Sequence, residues 1–124
     1  ELSASMILTK SVPKGTPIGY NQKFKTNKQS IIGTIQVGYA DGLPTCMGNT
    51  GEVLIDDRIY PLCGNISMDM ITVDLGQNPF SGSRDCQIWG KSPLSIENLA
   101  EKYNILPYEF LVSVSSRVKR IYYD

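Results

Sequence analysis

The chain has 124 residues, with 12 Lys+Arg against 12 Asp+Glu and no histidine, so its formal charge is zero. That length suits one domain able to bury a core without metal or disulfide staples. The neutral balance argues against a nucleic-acid binder, which needs a cationic surplus, and the missing histidine excludes Ser-His-Asp catalysis, Cys-His catalysis and His-ligated zinc.

Strand signals dominate the chain. Residues 6–10 form a short extended run, stopped where Pro13, Gly15 and Pro17 impose turns. Residues 21–30 are polar and carry Lys23, Lys25 and Lys28, which reads as an exposed loop or hairpin. Residues 31–38 alternate as a strand. Residues 52–55 and 58–62 flank Asp56-Asp57, a two-residue connection suited to a tight hairpin. Residues 66–75 are the longest strand candidate, with Asp69 and Asp74 on opposite faces. Residues 85–89 form another short strand.

Helix is expected only late. Ser95 can cap residues 96–103 by accepting from first-turn amides, and Ile96, Leu99 and Ala100 give an apolar face. Pro107 suits the first turn of a second short helix through residue 111. Residues 117–123 alternate like a closing strand. The pattern predicts a mainly β fold, a small barrel or sandwich with two short helices near the C-terminus. No apolar run approaches the ~20 residues of a membrane span. The start, Glu1-Leu2-Ser3, has neither an initiator Met nor a signal-peptide layout and reads as a cut from a longer polypeptide. Cys46, Cys63 and Cys86, odd in number and without CxxC spacing, read as reduced thiols of a cytoplasmic protein.

Without histidine, proton transfer falls to tyrosines and carboxylates. Two of the seven tyrosines sit beside glycine, in Gly19-Tyr20-Asn21 and Gly38-Tyr39-Ala40-Asp41-Gly42. Each is either a rim hydroxyl or an amphipathic edge aromatic. Cys46 has no neighbour that would lower its pKa, which argues against a nucleophile. No phosphate loop or metal-ligand spacing is present.

The ordered set Gly19-Tyr20, Gly38-Tyr39-Ala40-Asp41-Gly42-Leu43-Pro44, Gly51-Glu52-Val53, Gly64-Asn65-Ile66-Ser67-Met68-Asp69-Met70, Val73-Asp74-Leu75 and Arg117-Val118-Lys119-Arg120-Ile121-Tyr122 resembles the carboxy-terminal domain of bacterial alanine racemases, across essentially the whole chain. The step from Tyr20 to Tyr39 agrees with that family's tyrosine spacing. The resemblance implies a piece of a homodimeric enzyme that interconverts L- and D-alanine for peptidoglycan. An absent amino-terminal (β/α)8 barrel would hold pyridoxal 5'-phosphate on a lysine, and each active site would be shared between subunits.

On this resemblance Tyr20 is the catalytic base on one face of the substrate α-carbon, and the barrel lysine serves the other. An ordinary tyrosine, with a pKa near ~10, needs a positive partner to act as a base, and that partner would come from the barrel. Met68 matches the residue whose main-chain N–H holds the substrate carboxylate, the alternative being core filling. Tyr39, Asp41 and Asn65 match the entrance to the substrate pocket, although Asp41 also suits a structural Asx acceptor. Asn21 stands where the family often has glycine, and Asn65 where many members have arginine. Ser116, where some members place a tyrosine near the cofactor phosphate, is the candidate cofactor contact and leaves a serine preference open. The alternatives are a serine/alanine racemase domain of the vancomycin-resistance type and a non-catalytic β-barrel for binding or dimerisation. The isolated chain is expected to be inactive.

Overall fold

The computed structural model describes residues 1–18 and 24–123. Its strands are β1 (Leu2–Val12), β2 (Pro17–Ile18), β3 (Phe24–Lys25), β4 (Ser30–Ile35), β5 (Glu52–Ile55), β6 (Arg58–Pro61), β7 (Ile71–Asp74) and β8 (Asp85–Trp89), followed by helices α1 (Ile96–Tyr103) and α2 (Pro107–Val112). Six strands make one sheet in the order β6-β5-β8-β1-β4-β7, and β2 and β3 form a separate two-stranded ribbon. A bridge between Leu62 and Val73 joins the two outer strands, so the sheet nearly closes into a barrel. The choice between barrel and sandwich is thereby made.

β1 is the longest strand because it serves two neighbours. Leu2 to Ser5 pair with β8, and Met6 to Val12 pair with β4, with the register shifting between Leu2 and Ser3 in the first pairing and between Met6 and Leu8 in the second. Such irregularities bend and twist a strand, and the bend carries the sheet round its axis. Only residues 6–10 of β1 were expected from sequence, because Ser3 and Ser5 weaken the apolar pattern at its start.

The hairpin turns at Asp56 (φ 49°) and Asp57 (φ 63°), the paired positive values that match the twist of a two-residue connection. The region 21–30 contributes β3 to a hairpin with β2, but it is not wholly exposed. Buried Thr26 donates to the Pro13 carbonyl at 2.8 Å and accepts the Thr16 N–H at 3.0 Å. Ser95 caps α1 as expected, its Oγ accepting the Asn98 N–H at 3.2 Å. The barrel core includes Met6, Ile35, Val53, Ile71, Val73 and Ile88, and Leu99 and Phe110 plug it from the helices.

Three expectations are corrected. The strand over residues 31–38 ends at Ile35, where the Val37 N–H folds back to the Ile35 carbonyl at 2.9 Å. Residues 66–75 do not form one strand: only Ile71–Asp74 pairs, and Asp69 lies in the preceding loop. Ser67 breaks the run because its Oγ donates to the Met70 carbonyl at 2.8 Å and accepts the Met70 N–H at 3.1 Å, closing a turn in place of ladder bonds. Residues 117–123 form no strand, since the Leu62–Val73 bridge occupies the edge a further strand would need. Arg120 instead turns back on the carbonyls of Val114 and Ser115, at 3.0 and 3.3 Å.

Candidate active site

Past β4 the chain makes one turn of 3-10 helix, Tyr39–Asp41, which docks on the Ser67–Met70 loop through its main chain. The Tyr39 N–H donates to the Ser67 carbonyl at 3.1 Å, and the Ala40 N–H to the Met68 carbonyl at 3.0 Å. Gly38 makes this contact sterically possible: a Cβ there would overlap both carbonyl oxygens. Gly42 closes the turn at φ +120°, against the Ser113 carbonyl, where the left-handed backbone and the close approach both require glycine.

Tyr39 (45 % exposed) and Met68 (51 % exposed) line one cavity of about 300 Å³ with Ser67, Asp69 and Met70. Met68 is therefore not core filling, because its place in a loop frees it from the barrel interior. Among the described residues its N–H meets no acceptor, whereas its carbonyl is engaged by Ala40. The residues lining this cavity thus include one with an unengaged main-chain donor, Met68, and one with a phenol, Tyr39.

Asp41 lies below this wall with its carboxylate mostly buried. Its Oδ2 accepts the Gly38 N–H at 2.9 Å, the local Asx role anticipated for it. Arg117 then forks onto it, Nε to Oδ1 at 2.7 Å and Nη2 to Oδ2 at 3.2 Å. The same Nη2 donates to Asp69 Oδ1 at 2.6 Å. The Arg117 hydrogen bond holds the Asp41 carboxyl below its ordinary range; the Gly38 N–H assists, and burial pulls the other way. The two carboxylates in turn push the Arg117 pKa up.

Asn65 stands on the far side of the Ser67–Met70 loop. It lines an apolar groove of about 380 Å³ with Ile7, Leu8, Thr34 and Met70, and its Oδ1 accepts from Asn49 Nδ2 at 3.2 Å. Ser67 and Met70 line both this groove and the Tyr39 cavity, but Asn65 does not line that cavity. Ser116 is exposed, between Arg117 and Ser115, whose N–H donates to the Asp41 carbonyl at 3.2 Å. Tyr20 and Asn21 lie outside the described residues. All three cysteines are free, and burial pushes Cys63 and Cys86 up to about 11. Asp69 and Asp74, expected on opposite faces of one strand, do not share a strand: Asp74 ends β7 and accepts the Gly76 N–H at 2.9 Å, while Asp69 lies in the loop and pairs with Arg117. Arg117 was missed as a functional residue, because no local pattern points from it to carboxylates 76 and 48 positions away.

Comparison with known proteins agrees with this geometry. Residues 1–122 match the family described as "Alanine racemase, C-terminal domain". The chain is 37 % identical over 122 residues to the alanine racemase of Xanthomonas oryzae pv. oryzae, covering 98 % of this chain and 33 % of that protein. It is 40 % identical over 124 residues to the alanine racemase of Actinobacillus succinogenes, covering 99 % of this chain and 34 % of that protein. Among solved structures, the alanine racemase of Bartonella henselae with covalently bound pyridoxal phosphate superposes with a TM-score of 0.90 at 32 % identity, covering 98 % of this chain and 34 % of that one. The chain thus spans about a third of the length of the curated relatives it matches. With the match running through the barrel, the Gly38–Gly42 turn and the Ser67–Met70 loop alike, the chain belongs to the alanine racemase C-terminal domain family.

Proposed function

We propose that this chain is the substrate-facing domain of a pyridoxal phosphate-dependent alanine racemase, completed by an amino-terminal barrel domain outside the sequence. The observation that carries this reading is that Met68, whose N–H meets no acceptor among the described residues, lines a cavity of about 300 Å³ together with Tyr39; such an N–H suits an amino-acid carboxylate. When bound, pyridoxal phosphate supplies the electron sink that makes the α-proton removable. The donors here fit a wall facing that cofactor and not its phosphate seat: the guanidinium at this wall, Arg117, is already engaged by two carboxylates.

In this reading Tyr20 exchanges a proton with one face of the substrate α-carbon, and a lysine of the barrel domain serves the other face. Met68 holds the carboxylate, and Tyr39, Asp41 and Asn65 shape the entrance. Ile7, Leu8, Tyr39, Met68 and Met70, all exposed, supply an apolar rim on which the barrel domain of a partner subunit closes in a homodimer. Among the described residues no helix is long and apolar enough to cross a membrane. The enzyme would work in the bacterial cytoplasm, making D-alanine for peptidoglycan.

The test is racemisation of L- and D-alanine, and of serine, by the full-length protein and its Tyr20→Phe variant. Alanine turnover that falls at least a hundredfold in Y20F is expected. Faster serine turnover would move the assignment to a serine/alanine racemase. A full-length protein that racemises neither would overturn the reading in favour of a non-catalytic module. Turnover by the isolated chain would refute the shared site.

A further inference from the structure

We propose that Arg117 is a positioning residue, clamping the Ser67–Met70 loop to the Tyr39–Asp41 turn and so setting where the Met68 N–H meets a substrate carboxylate. The inference rests on the carboxylate-binding role proposed above. Ser67–Met70 stands outside the sheet, and its internal bonds join only Ser67 to Met70. Two main-chain bonds, from Tyr39 and Ala40, tie its first half to the neighbouring turn. Beyond Met68 the tie is Asp69 to Arg117, at 2.6 Å. Met68 therefore sits between a backbone anchor on one side and a side-chain anchor on the other.

The guanidinium makes that second anchor firm. Its fork on Asp41 is bidentate, and Asp41 is itself held by the Gly38 N–H, so Arg117 is fixed against the 3-10 turn before it reaches Asp69. Two segments distant in sequence, those of Asp41 and Asp69, converge on one planar cation. The arrangement also has an electrostatic consequence. Asp69 lines the cavity in which an anionic carboxylate is to be held. Arg117 offsets that charge, and without it two carboxylates would stand near the incoming one. Loss of position and gain of repulsion both weaken substrate binding, while neither touches the proton-transferring groups.

The experiment compares Arg117→Gln, Arg117→Lys and, as a control on an exposed cation, Lys119→Gln in the full-length enzyme. R117Q is expected to raise KM for L-alanine about tenfold with kcat changed less than about threefold. R117K should give a smaller rise, because an ammonium keeps the charge but cannot fork across two carboxylates. K119Q should match the wild type. Hydrogen exchange supplies a readout independent of activity: the amides of Tyr39 and Ala40, bonded across this junction, and those of Ser67 and Met70, bonded within the loop, should exchange about tenfold faster in R117Q. Should R117Q fail to fold, Asp69→Asn releases the loop while leaving the Arg117–Asp41 pair, and the same amides should exchange faster. Unchanged exchange in either folded variant overturns the clamp. Unchanged KM despite a loosened loop, or a kcat loss with KM intact, overturns its positioning role. A wild-type enzyme that does not racemise alanine would refute the proposed function, and the exchange data would still decide the clamp.

Discussion

Gly38→Ala is the most direct probe of how the barrel shapes the candidate site. Its φ of −150° is extended backbone open to any residue, so the substitution carries no conformational penalty of its own. The cost is steric: the added Cβ meets the carbonyl oxygens of Ser67 and Met68, which are backbone and cannot rotate away. Relief requires the 3-10 turn to lift off the loop, forfeiting the Tyr39–Ser67 and Ala40–Met68 bonds. Two such bonds contribute about 1–3 kcal/mol net, and the overpacking adds about 1–3 kcal/mol. The expected loss is thus about 2–6 kcal/mol, a large share of the ~5–15 kcal/mol typical of a domain. In urea unfolding of the 124-residue chain the midpoint should fall by roughly 1–3 M, taking a mid-range slope of about 2 kcal/mol/M. Gly15→Ala is the comparison, since φ is +83° there but nothing lies within 4 Å of a Cβ. It should cost only the ~1–2 kcal/mol of a left-handed backbone. A G38A midpoint no lower than that of G15A would refute the steric argument.

Acid should erase the contribution of Asp41. Its carboxyl pKa is depressed in the fold, so the unfolded chain binds more protons and stability rises with pH through that window. Asp41→Asn should therefore be less stable than the wild type at neutral pH. The two urea midpoints should converge as pH falls below the ordinary carboxylate range near ~4; a constant gap would contradict the pairing. Thiol titration of the native chain should find only exposed Cys46 reacting promptly, with buried Cys63 and Cys86 joining once urea unfolds it. Ser95→Ala removes the acceptor of the Asn98 N–H and should cost about 1 kcal/mol in the same melts, whereas no change would deny the cap.

What the sequence determined by itself was local. Asp56-Asp57 specified a hairpin because two short polar residues tolerate the positive φ its turn demands. Ser95 specified a helix start because its hydroxyl needs only an amide three residues on. The ordered glycine, tyrosine and Ser67-Met68-Asp69 motifs carried the family, since they lie within contiguous stretches. Tertiary structure decided whatever depended on distant partners. Residues 66–75 alternate like one strand, yet the Tyr39–Asp41 turn packs on the Ser67–Met68 segment and only Ile71–Asp74 finds a ladder. Residues 117–123 alternate too, but barrel closure left them no edge to join. Arg117 opens that alternating run, and only folding brings it to Asp41 and Asp69. Alternation states what a segment can bury; which edge, carbonyl or carboxylate it meets is set by the rest of the chain.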